Sequence, residues 1–508
     1  MKGIILLIFS FMLFVCSVYA QTALDYFNVA NSKLDSKDFI GAIEEFSKAI
    51  AIDGNTANFF INRGIAKSEI GEYREALIDF TKATTLDTSN ALAYFNRGNT
   101  QHMLRNYTGS INDFDKAVKI DTLFLGAYFN RGQAKAEIGN YRDAIDDYNK
   151  CISIDSTYEK AYRNKGALNV KLKRYESAIQ DFTLAIELAP NDANAYYSRA
   201  LGLRELKRIR EALTDFDKVI SIDSKHLYSY YYRAEMYAQL GDKFGAIADY
   251  NRAIDIDPEF LDAIVNRADL KKEVSNFTSA IEDYSRVLLI DTTWNDLYLR
   301  RGDAYMRSGD YKAALHDFLF VKKKDTTVSK PYYYLGKLKV ELGDYKEAIT
   351  FLTKAINLDS SSVENFFARG VASHKMRNYI LAIEDFTQAI EIDANFIEAY
   401  IQRSIVKAEL GDFRGALLDN NKALELDSRN IEIYRNNIFV KMQMQKYAEA
   451  ILDCDKILEK EPNNSLIYVQ RGEAKLKNND KNGACLDWHN AANLGYKEAL
   501  QIIATNCN

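Results

Sequence analysis

The chain has 508 residues, of which 66 are Lys or Arg and 71 are Asp or Glu, giving a formal net charge of -5. This balance lacks the basic surface that nucleic-acid binding normally needs, so no nucleic-acid partner is expected. A globular chain of this length would comprise several domains. No Pro- or Ser-rich linker interrupts this sequence, which instead indicates a single array.

Residues 1–20 read MKGIILLIFSFMLFVCSVYA, with one Lys followed by an apolar run, and Val18 and Ala20 precede a cleavage point at Gln21. This layout predicts a signal peptide, and hence an extracytoplasmic mature protein that is periplasmic, envelope-associated or secreted. The alternative is an uncleaved anchor. The apolar run is shorter than the ~20 residues that a membrane span needs, which favours cleavage. No later stretch is apolar enough to cross a bilayer.

From residue 23 onward a 34-residue pattern recurs fourteen times in phase. Counting places from the first residue of each copy, place 4 is usually aromatic, place 8 small and place 24 aromatic. Place 20 is Ala in every copy except for Ser110. The copies begin at Ala23, Ala57, Ala91, Leu125, Glu159, Ala193, Leu227, Leu261, Asn295, Ser329, Val363, Ile397, Ile431 and Ser465. A period this strict indicates a stacked array whose units cover one another's apolar faces.

Each copy predicts two helices joined by a turn. Place 15 is Gly in six copies, and glycine enters the left-handed conformation that ends a helix at little cost. The apolar residues of the second half recur at helical spacing. Small residues at places 8 and 20 allow the two helices to approach closely. After the last copy, the segment Glu498 to Thr505 predicts a helix that covers the end of the array.

This pattern resembles the tetratricopeptide repeat family, from Ala23 to about Lys497. The resemblance implies an all-α fold, an α-solenoid coiled as a right-handed superhelix. It would comprise about 14 tandem 34-residue helix-turn-helix repeats over residues 23–498, as one array, with a C-terminal capping helix in a tail at 499–508. Copies twelve and thirteen depart from the pattern at Asn420, Ile438 and Cys454, which predicts looser packing there.

Place 7 is Arg in most copies and place 23 is Asp in most copies, while copy ten replaces both, with Leu335 and Phe351. The joint loss predicts a partly buried ion pair. Two arrangements remain open: a pair within one unit, or, because copy one has Val29 at place 7, a pair with the preceding unit. In either arrangement the charges are interpreted as structural, since removing one partner of a buried pair is costly.

No constellation for catalysis or metal binding is recognisable in the sequence. The five histidines lie in five different copies, and there is no HExxH, no GxxxxGK[ST] and no GxSxG motif. The protein is therefore predicted to be no enzyme and to use no metal and no cofactor.

In the family that the pattern resembles, places 2, 5, 6, 9 and 12 of the first helices point into the concave side, and they would form a partner-binding groove. Amides at place 6 suit the backbone of an extended peptide, tyrosines are good binding anchors, and acids would attract a basic segment. The amides could instead belong to a common NRG consensus, and the acids to a plain solvated face. The residues concerned are Asn28, Asn62, Asn96, Asn130 and Asn164; Tyr197, Tyr228, Tyr231 and Tyr232; and Glu235, Asp262, Asp269, Asp296 and Asp303.

The mature chain contains four cysteines. Cys151 and Cys454 fall at core places and are expected to be buried apolar residues. Cys485 and Cys507 lie in the final unit and its tail, where an oxidising compartment permits a disulfide. The sequence leaves open whether they form a bridge or remain two unpaired thiols.

The leading hypothesis is a non-catalytic, exported scaffold that binds an extended segment of a partner protein in its groove. A second hypothesis is a glycan- or peptidoglycan-binding accessory to cell-wall enzymes, because tyrosines and carboxylates also suit sugars. The sequence identifies neither the partner nor the oligomeric state.

Overall fold

The computed structural model describes residues 21–507. The predicted signal peptide, residues 1–20, lies outside the described residues. Between residues 21 and 507 the chain forms 29 α-helices and no β-strand, so this part of the molecule is all-α, as predicted. Contacts group the chain into two units, Met1–Pro258 and Glu259–Asn508.

The described part of the first unit consists of seven helical hairpins. The helices are α1 (Ala23–Asp35), α2 (Phe39–Ile52), α3 (Ala57–Glu69), α4 (Tyr73–Leu86), α5 (Ala91–Met103), α6 (Tyr107–Ile120), α7 (Leu125–Glu137), α8 (Tyr141–Ile154), α9 (Glu159–Lys171), α10 (Tyr175–Leu188), α11 (Ala193–Glu205), α12 (Ile209–Ile222), α13 (Leu227–Gln239) and α14 (Lys243–Ile256). Each hairpin packs on the next, so the unit is a solenoid of stacked helix pairs.

The second unit also contains seven hairpins, followed by one further helix. The helices are α15 (Leu261–Glu273), α16 (Phe277–Ile290), α17 (Asn295–Ser308), α18 (Tyr311–Lys324), α19 (Lys330–Glu341), α20 (Tyr345–Leu358), α21 (Val363–Lys375), α22 (Tyr379–Ile392), α23 (Ile397–Glu409), α24 (Phe413–Leu426), α25 (Ile431–Gln443), α26 (Tyr447–Leu458), α27 (Ser465–Lys477), α28 (Lys481–Asn493) and α29 (Glu498–Asn506). None of the helices between residues 21 and 507 combines the length and the apolar character that a membrane span requires.

The turn inside each hairpin has the same backbone conformation in all fourteen copies. The six place-15 glycines have positive φ, for example 83° at Gly71. The other eight copies reach the same left-handed region with non-glycine residues, for example Lys173 at φ 57° and Gln445 at φ 60°. The close approach of the two helices therefore imposes this turn even on residues for which the left-handed conformation is unfavourable.

The core of a hairpin is a small residue facing an aromatic ring. At Gly370, an added Cβ would lie 2.6 Å from Cε1 of Phe386, so a larger residue would not fit without movement. All the place-20 alanines are fully buried, and so is Ser110. The sequence prediction that small residues at places 8 and 20 permit the close approach is confirmed.

Copies twelve and thirteen solve this packing differently. In copy thirteen the sizes are exchanged, because Ile438 takes the glycine place and Cys454 the aromatic place, and both are buried. In copy twelve, Ser404 Oγ donates a hydrogen bond of 2.6 Å to Asn420 Oδ1 instead of a ring packing on a glycine. The Nδ2 atom of Asn420 is buried and has no partner among residues 21–507.

A place-7 arginine bonds both to the second helix of its own hairpin and to the second helix of the preceding hairpin. The structure therefore combines the two arrangements that the sequence left open, a pair within one unit and a contact with the unit before it. Arg199 binds Asp215 in its own hairpin through Nε (2.8 Å) and Nη2 (2.7 Å), and its Nη1 donates to Thr183 Oγ1 in the preceding hairpin (3.0 Å). The same within-hairpin pair occurs at Arg63–Asp79, Arg97–Asp113, Arg131–Asp147, Arg233–Asp249, Arg267–Asp283, Arg301–Asp317, Arg369–Asp385, Arg403–Asp419 and Arg471–Asp487. These charges hold the hairpins together.

The last hairpin is covered by α29, close to where the sequence predicted a capping helix. Ala499 is buried in a cluster with Trp488. A disulfide joins Cys485 in α28 to Cys507 at the end of α29, with the two Cα atoms 5.7 Å apart.

Candidate binding face of the first helices

We call the surface formed by places 2, 5, 6, 9 and 12 of the first helices the first-helix face, and we describe it separately for each unit. Some of these side chains also pack within their hairpin: the place-5 ring of Phe129 lies 5.7 Å from the place-24 ring of Tyr148, measured between ring centroids. The side chains and ring faces that remain exposed are the part of the repeat that is available for recognition.

The most distinctive part of this face in the first unit is a group of tyrosines on α11 and α13. Tyr231 lies 5.2 Å from Tyr232, and Tyr232 lies 6.3 Å from Tyr197 and 6.4 Å from Tyr228, measured between ring centroids. Tyr228 is 51% exposed, whereas burial raises the pKa of Tyr197 to about 12. The structure thus brings together all four predicted tyrosines, which we call the tyrosine cluster.

Two charged side chains border the tyrosine cluster. The guanidinium of Arg204 lies over the ring of Tyr232, 4.4 Å from its centroid, a distance at which a cation is attracted to the ring face. Arg204 Nη1 also lies 3.7 Å from Glu235 Oε2. Burial raises the pKa of Glu235, against the effects of Arg204 and of a hydrogen bond with Tyr231. Arg204 was not among the predicted site residues, although it occupies place 12, one of the places expected to line the groove.

Two of the five predicted asparagines at place 6 already donate hydrogen bonds within the array. Asn62 Nδ2 donates to Asn31 Oδ1 and Asn130 Nδ2 donates to Asn99 Oδ1, each at 2.7 Å. Both acceptors lie at place 9 of the preceding first helix, one repeat back. Part of the amide hydrogen-bonding capacity of Asn62 and Asn130 is therefore used within the array.

Asn96 and Asn164, by contrast, do not follow an asparagine at place 9. Asn96 is preceded at place 9 by Ile65, and its Nδ2 atom is buried without a partner among residues 21–507. Asn164 is preceded by Gln133, and it is hydrogen-bonded to Tyr148 instead. Of these four amides, the two that follow an asparagine at place 9 are thus the two that donate to the preceding first helix.

The expected acidic wall in the second unit is corrected. Asp303 is only 4% exposed, and its Oδ2 lies 3.3 Å from Lys272 Nζ and 3.2 Å from Arg307 Nε. Asp269 accepts hydrogen bonds from Arg300 Nη1 and from the hydroxyl of Tyr284, each at 2.5 Å. Each of these two predicted acids is therefore neutralised by neighbouring cations, Lys272 and Arg307 at Asp303 and Arg300 at Asp269.

Arg300 also neutralises the neighbouring acid on α17. Its Nε donates to Asp296 Oδ2 at 2.7 Å, and Lys330 Nζ lies 3.1 Å from Asp296 Oδ1. Asp262 is exposed. This part of the second unit is a network of ion pairs and does not present a row of unneutralised carboxylates.

Next to this network lies a further cation, which was not among the predicted site residues. Lys337, at place 9 of α19, has its Nζ 5.5 Å from the centroid of the Tyr333 ring. Burial lowers the pKa of Lys337, against the effect of Asp303. Within residues 21–507, no group of three or more His, Cys, Asp or Glu side chains is arranged to hold a metal ion.

Hairpins of two antiparallel helices, stacked on one another at a 34-residue period, define a helical repeat protein. Tetratricopeptide repeat models match residues 126–158, 159–192, 193–226, 228–260, 329–362 and 363–396. The chain belongs to the tetratricopeptide repeat family. Membership of this family supports a role for the protein as a protein–protein interaction scaffold. Members of the family are generally non-catalytic.

Solved structures of other repeat proteins are similar to parts of the chain. YrrB, a tetratricopeptide repeat protein with an unusual peptide-binding site, is 26% identical over 36% of this chain and 95% of its own, with a TM-score of 0.34. The C-terminal part of a repeat protein from Cytophaga hutchinsonii is 23% identical over 47% of this chain and 98% of its own (TM-score 0.43). The structure of the APC/C hetero-tetramer Cut9–Hcn1 is 16% identical over 90% of this chain and 97% of its own, with a TM-score of 0.40. No curated protein matches the sequence.

Proposed function

We propose that this protein is an exported scaffold that binds an extended segment of a partner protein on the first-helix face of its first unit. The observation that carries the proposal is the tyrosine cluster. Four tyrosines from two consecutive first helices lie with neighbouring ring centroids 5.2 to 6.4 Å apart, beside Arg204 and Glu235.

Tyrosine and arginine are the residues that most often dominate the energy of protein interfaces. A tyrosine buries a large area with few rotatable bonds, so little side-chain entropy is lost on binding. Here the cluster is already ordered, because Tyr232 stacks on Phe216 and lies under Arg204. A surface that is ordered in advance lowers the cost of association for the receptor.

The exposed ring of Tyr228 is the first contact point that we assign to a partner. Glu235 and Arg204 lie close enough to neutralise each other in part. We therefore expect the partner segment to contribute apolar and backbone groups here, and we do not expect binding to depend strongly on ionic strength.

Export is the second part of the proposal and is supported by the layout of residues 1–20. Expression of the full chain with its leader, followed by N-terminal sequencing of the protein recovered from the envelope or the medium, tests it directly. A mature chain that begins at Gln21 is expected. A chain that retains Met1 in the soluble cytosolic fraction would contradict export.

The binding proposal is tested with Tyr228→Ala/Tyr231→Ala in the mature chain. The matched control is Phe244→Ala, because Phe244 is 75% exposed and lies on the second helix of the same hairpin. Circular dichroism and the melting temperature should show that both variants keep their helices. Quantitative mass spectrometry of proteins captured from envelope extract should show one or more proteins reduced at least tenfold with the tyrosine variant alone, as expected for loss of a hot spot of about 2 kcal/mol.

Equal capture by all three proteins would remove the tyrosine cluster from the binding site. The same three proteins should also be incubated with purified cell-wall material. Retention that depends on the tyrosines, without a change in captured proteins, would favour the glycan-binding hypothesis over a protein partner.

A further inference from the structure

The second unit contains a cavity on its first-helix face where copies twelve and thirteen depart from the repeat. It lies between α23 and α25 and has a volume of about 260 Å³. Most of its lining is apolar. The residues that matter here are Ser404, Ile405, Ala408, Asn436, Phe439 and Val440.

One hydrogen-bond donor in this lining has no acceptor. The Nδ2 atom of Asn436 is buried and unpaired within residues 21–507. Asn436 occupies place 6, and in copies two and four the amide at that place donates to an asparagine at place 9 of the preceding first helix, as Asn62 does to Asn31. In copy twelve that place is Ile405, which offers no side-chain acceptor.

The neighbouring amides make this region unusual for a second reason. Asn437 is fully buried at the place that other copies give to arginine, and neither its Nδ2 nor its Oδ1 has a partner in the described chain. Asn420 Nδ2 is also unpaired, and Asn420 is held by Ser404, which lines the cavity. Native proteins leave few buried polar atoms unpaired, and each such group asks for an explanation.

We infer that this cavity, the Asn436 pocket, binds one apolar side chain of a peptide, with an adjacent peptide carbonyl accepting the hydrogen bond from Asn436 Nδ2. An apolar cavity of about 150 Å³ already holds a benzene molecule, whereas drug-sized ligands occupy pockets of roughly 300 Å³ or more. A volume of about 260 Å³ therefore suits a single leucine-, methionine- or phenylalanine-sized group.

The rim of the pocket restricts the ligand further. Phe439 is 53% exposed there and can cover one face of an inserted side chain. Glu409 also lines the pocket, and its Oε2 lies 3.1 Å from His374 Nε2. The carboxylate of Glu409 disfavours an acidic ligand, so we assign a neutral apolar residue.

This inference rests on the proposed function only in taking a peptide as the source of the ligand. The pocket belongs to the second unit, and the tyrosine cluster belongs to the first. Loss of binding at one of them therefore leaves the test of the other intact.

The test uses the mature full-length chain and three small probes observed by saturation-transfer NMR. N-acetyl-leucine amide and N-acetyl-phenylalanine amide carry both the apolar group and the carbonyl, and N-acetyl-aspartic acid amide carries the carbonyl with an acidic side chain. The first two should bind and the third should not. Absence of binding by both apolar probes would overturn the inference.

The key variant is Ile405→Asn, which supplies the internal acceptor that Asn31 gives to Asn62. Its matched control is Ile65→Asn, which makes the same change beside Asn96 in copy two. A second variant, Ala408→Phe, fills the pocket. The apolar probes should bind at least tenfold more weakly to Ile405→Asn and Ala408→Phe, and unchanged to Ile65→Asn.

Because the chain itself carries asparagine at this place in copies one and three, Ile405→Asn should fold, and its melting temperature checks this. Toluene, which has no acceptor, separates the two features of the site. Weakening of the amide probes but not of toluene by Ile405→Asn supports the role of Asn436. Equal binding of the amide probes to wild type and Ile405→Asn would show that no peptide carbonyl is recognised and would overturn the assignment.

Discussion

Arg301 and Asp317 are joined by two hydrogen bonds across one hairpin, from Nε to Oδ2 and from Nη2 to Oδ1, both 2.8 Å long. Asp317 is 1% exposed, and Nη1 of Arg301 also donates to Ser285 Oγ in the preceding hairpin at 3.1 Å. The pair thus links the two helices of one repeat and the repeat before it. Copy ten has Leu335 and Phe351 at the corresponding places, so the fold also accepts an apolar pair.

This comparison predicts the result of a double-mutant cycle. Arg301→Leu should destabilise the chain by about 3–5 kcal/mol, because it leaves the buried carboxylate of Asp317 without its arginine partner. The double variant Arg301→Leu/Asp317→Phe should lie within about 1 kcal/mol of the wild type, since a well-packed apolar pair often replaces a buried ion pair at little cost. Urea unfolding followed by circular dichroism measures both.

A suitable comparison for this cycle is Asp296→Ala, on the same helix as Arg301. The side chain of Asp296 is half exposed, so solvent weakens its ion pair with Arg300. It should cost no more than about 1 kcal/mol. If the double variant were as unstable as Arg301→Leu alone, the apolar pair of copy ten would depend on its own surroundings, and the pair would not be exchangeable between copies.

The architecture could be predicted from the sequence because the same steric problem is solved fourteen times. A glycine opposite a ring, as at Gly370 and Phe386, leaves no room for another residue, so the requirement appears directly in the sequence. The 34-residue period then predicts the same structure in copies whose own residues do not indicate it. Lys173 gives no local sign of a left-handed turn, yet its place in the repeat predicts the turn, and the structure has it at φ 57°.

The binding face could not be predicted to the same degree, because its side chains are not fixed by the period. Whether Asn62 is free or paired depends on Asn31, which is one repeat away in sequence and adjacent in space. The same 31-residue separation pairs Arg300 with Asp269. Both pairs join place 6 of one copy to place 9 of the copy before it, so a comparison of these two places along the sequence predicts them.

The cysteines are predicted to differ sharply in reactivity. Burial raises the pKa of Cys151 and of Cys454 to about 12. Since the thiolate is the reactive form, only roughly one thiol in ten thousand would be ionised at pH 8. Both should resist iodoacetamide in the native chain at pH 8, react faster as the pH is raised towards 12, and react readily in urea.

Cys485 and Cys507 should be alkylated only after reduction, because they form the disulfide that ties α29 to α28. Peptide mass mapping of native, reduced and unfolded samples distinguishes the four residues. Rapid native labelling of Cys454 would show that copy thirteen opens locally. Reduction should also speed amide exchange in α29, and unchanged exchange there would mean that the packing of Ala499 alone holds the cap.

Ser110 leads to a prediction of increased stability. It is the only place-20 residue that is not alanine, it is fully buried, and its Oγ has no hydrogen-bond partner within residues 21–507. Ser110→Ala removes an unpaired buried hydroxyl and improves the helix propensity, so it should stabilise the chain by about 1 kcal/mol. The urea midpoint should rise without a change in slope.

The reverse change, Ala144→Ser in the next hairpin, is the matched control and should lower the midpoint by a similar amount. Both residues lie at the contact between the two helices of a hairpin. A hydroxyl oxygen added there gains no hydrogen-bond partner, and removal of one loses no hydrogen bond. If Ser110→Ala instead lowered the midpoint while Ala144→Ser did so as well, the hydroxyl of Ser110 would have a favourable partner in solution. The alanine rule at place 20 would then hold for the other thirteen copies and would fail in copy three for a specific polar reason.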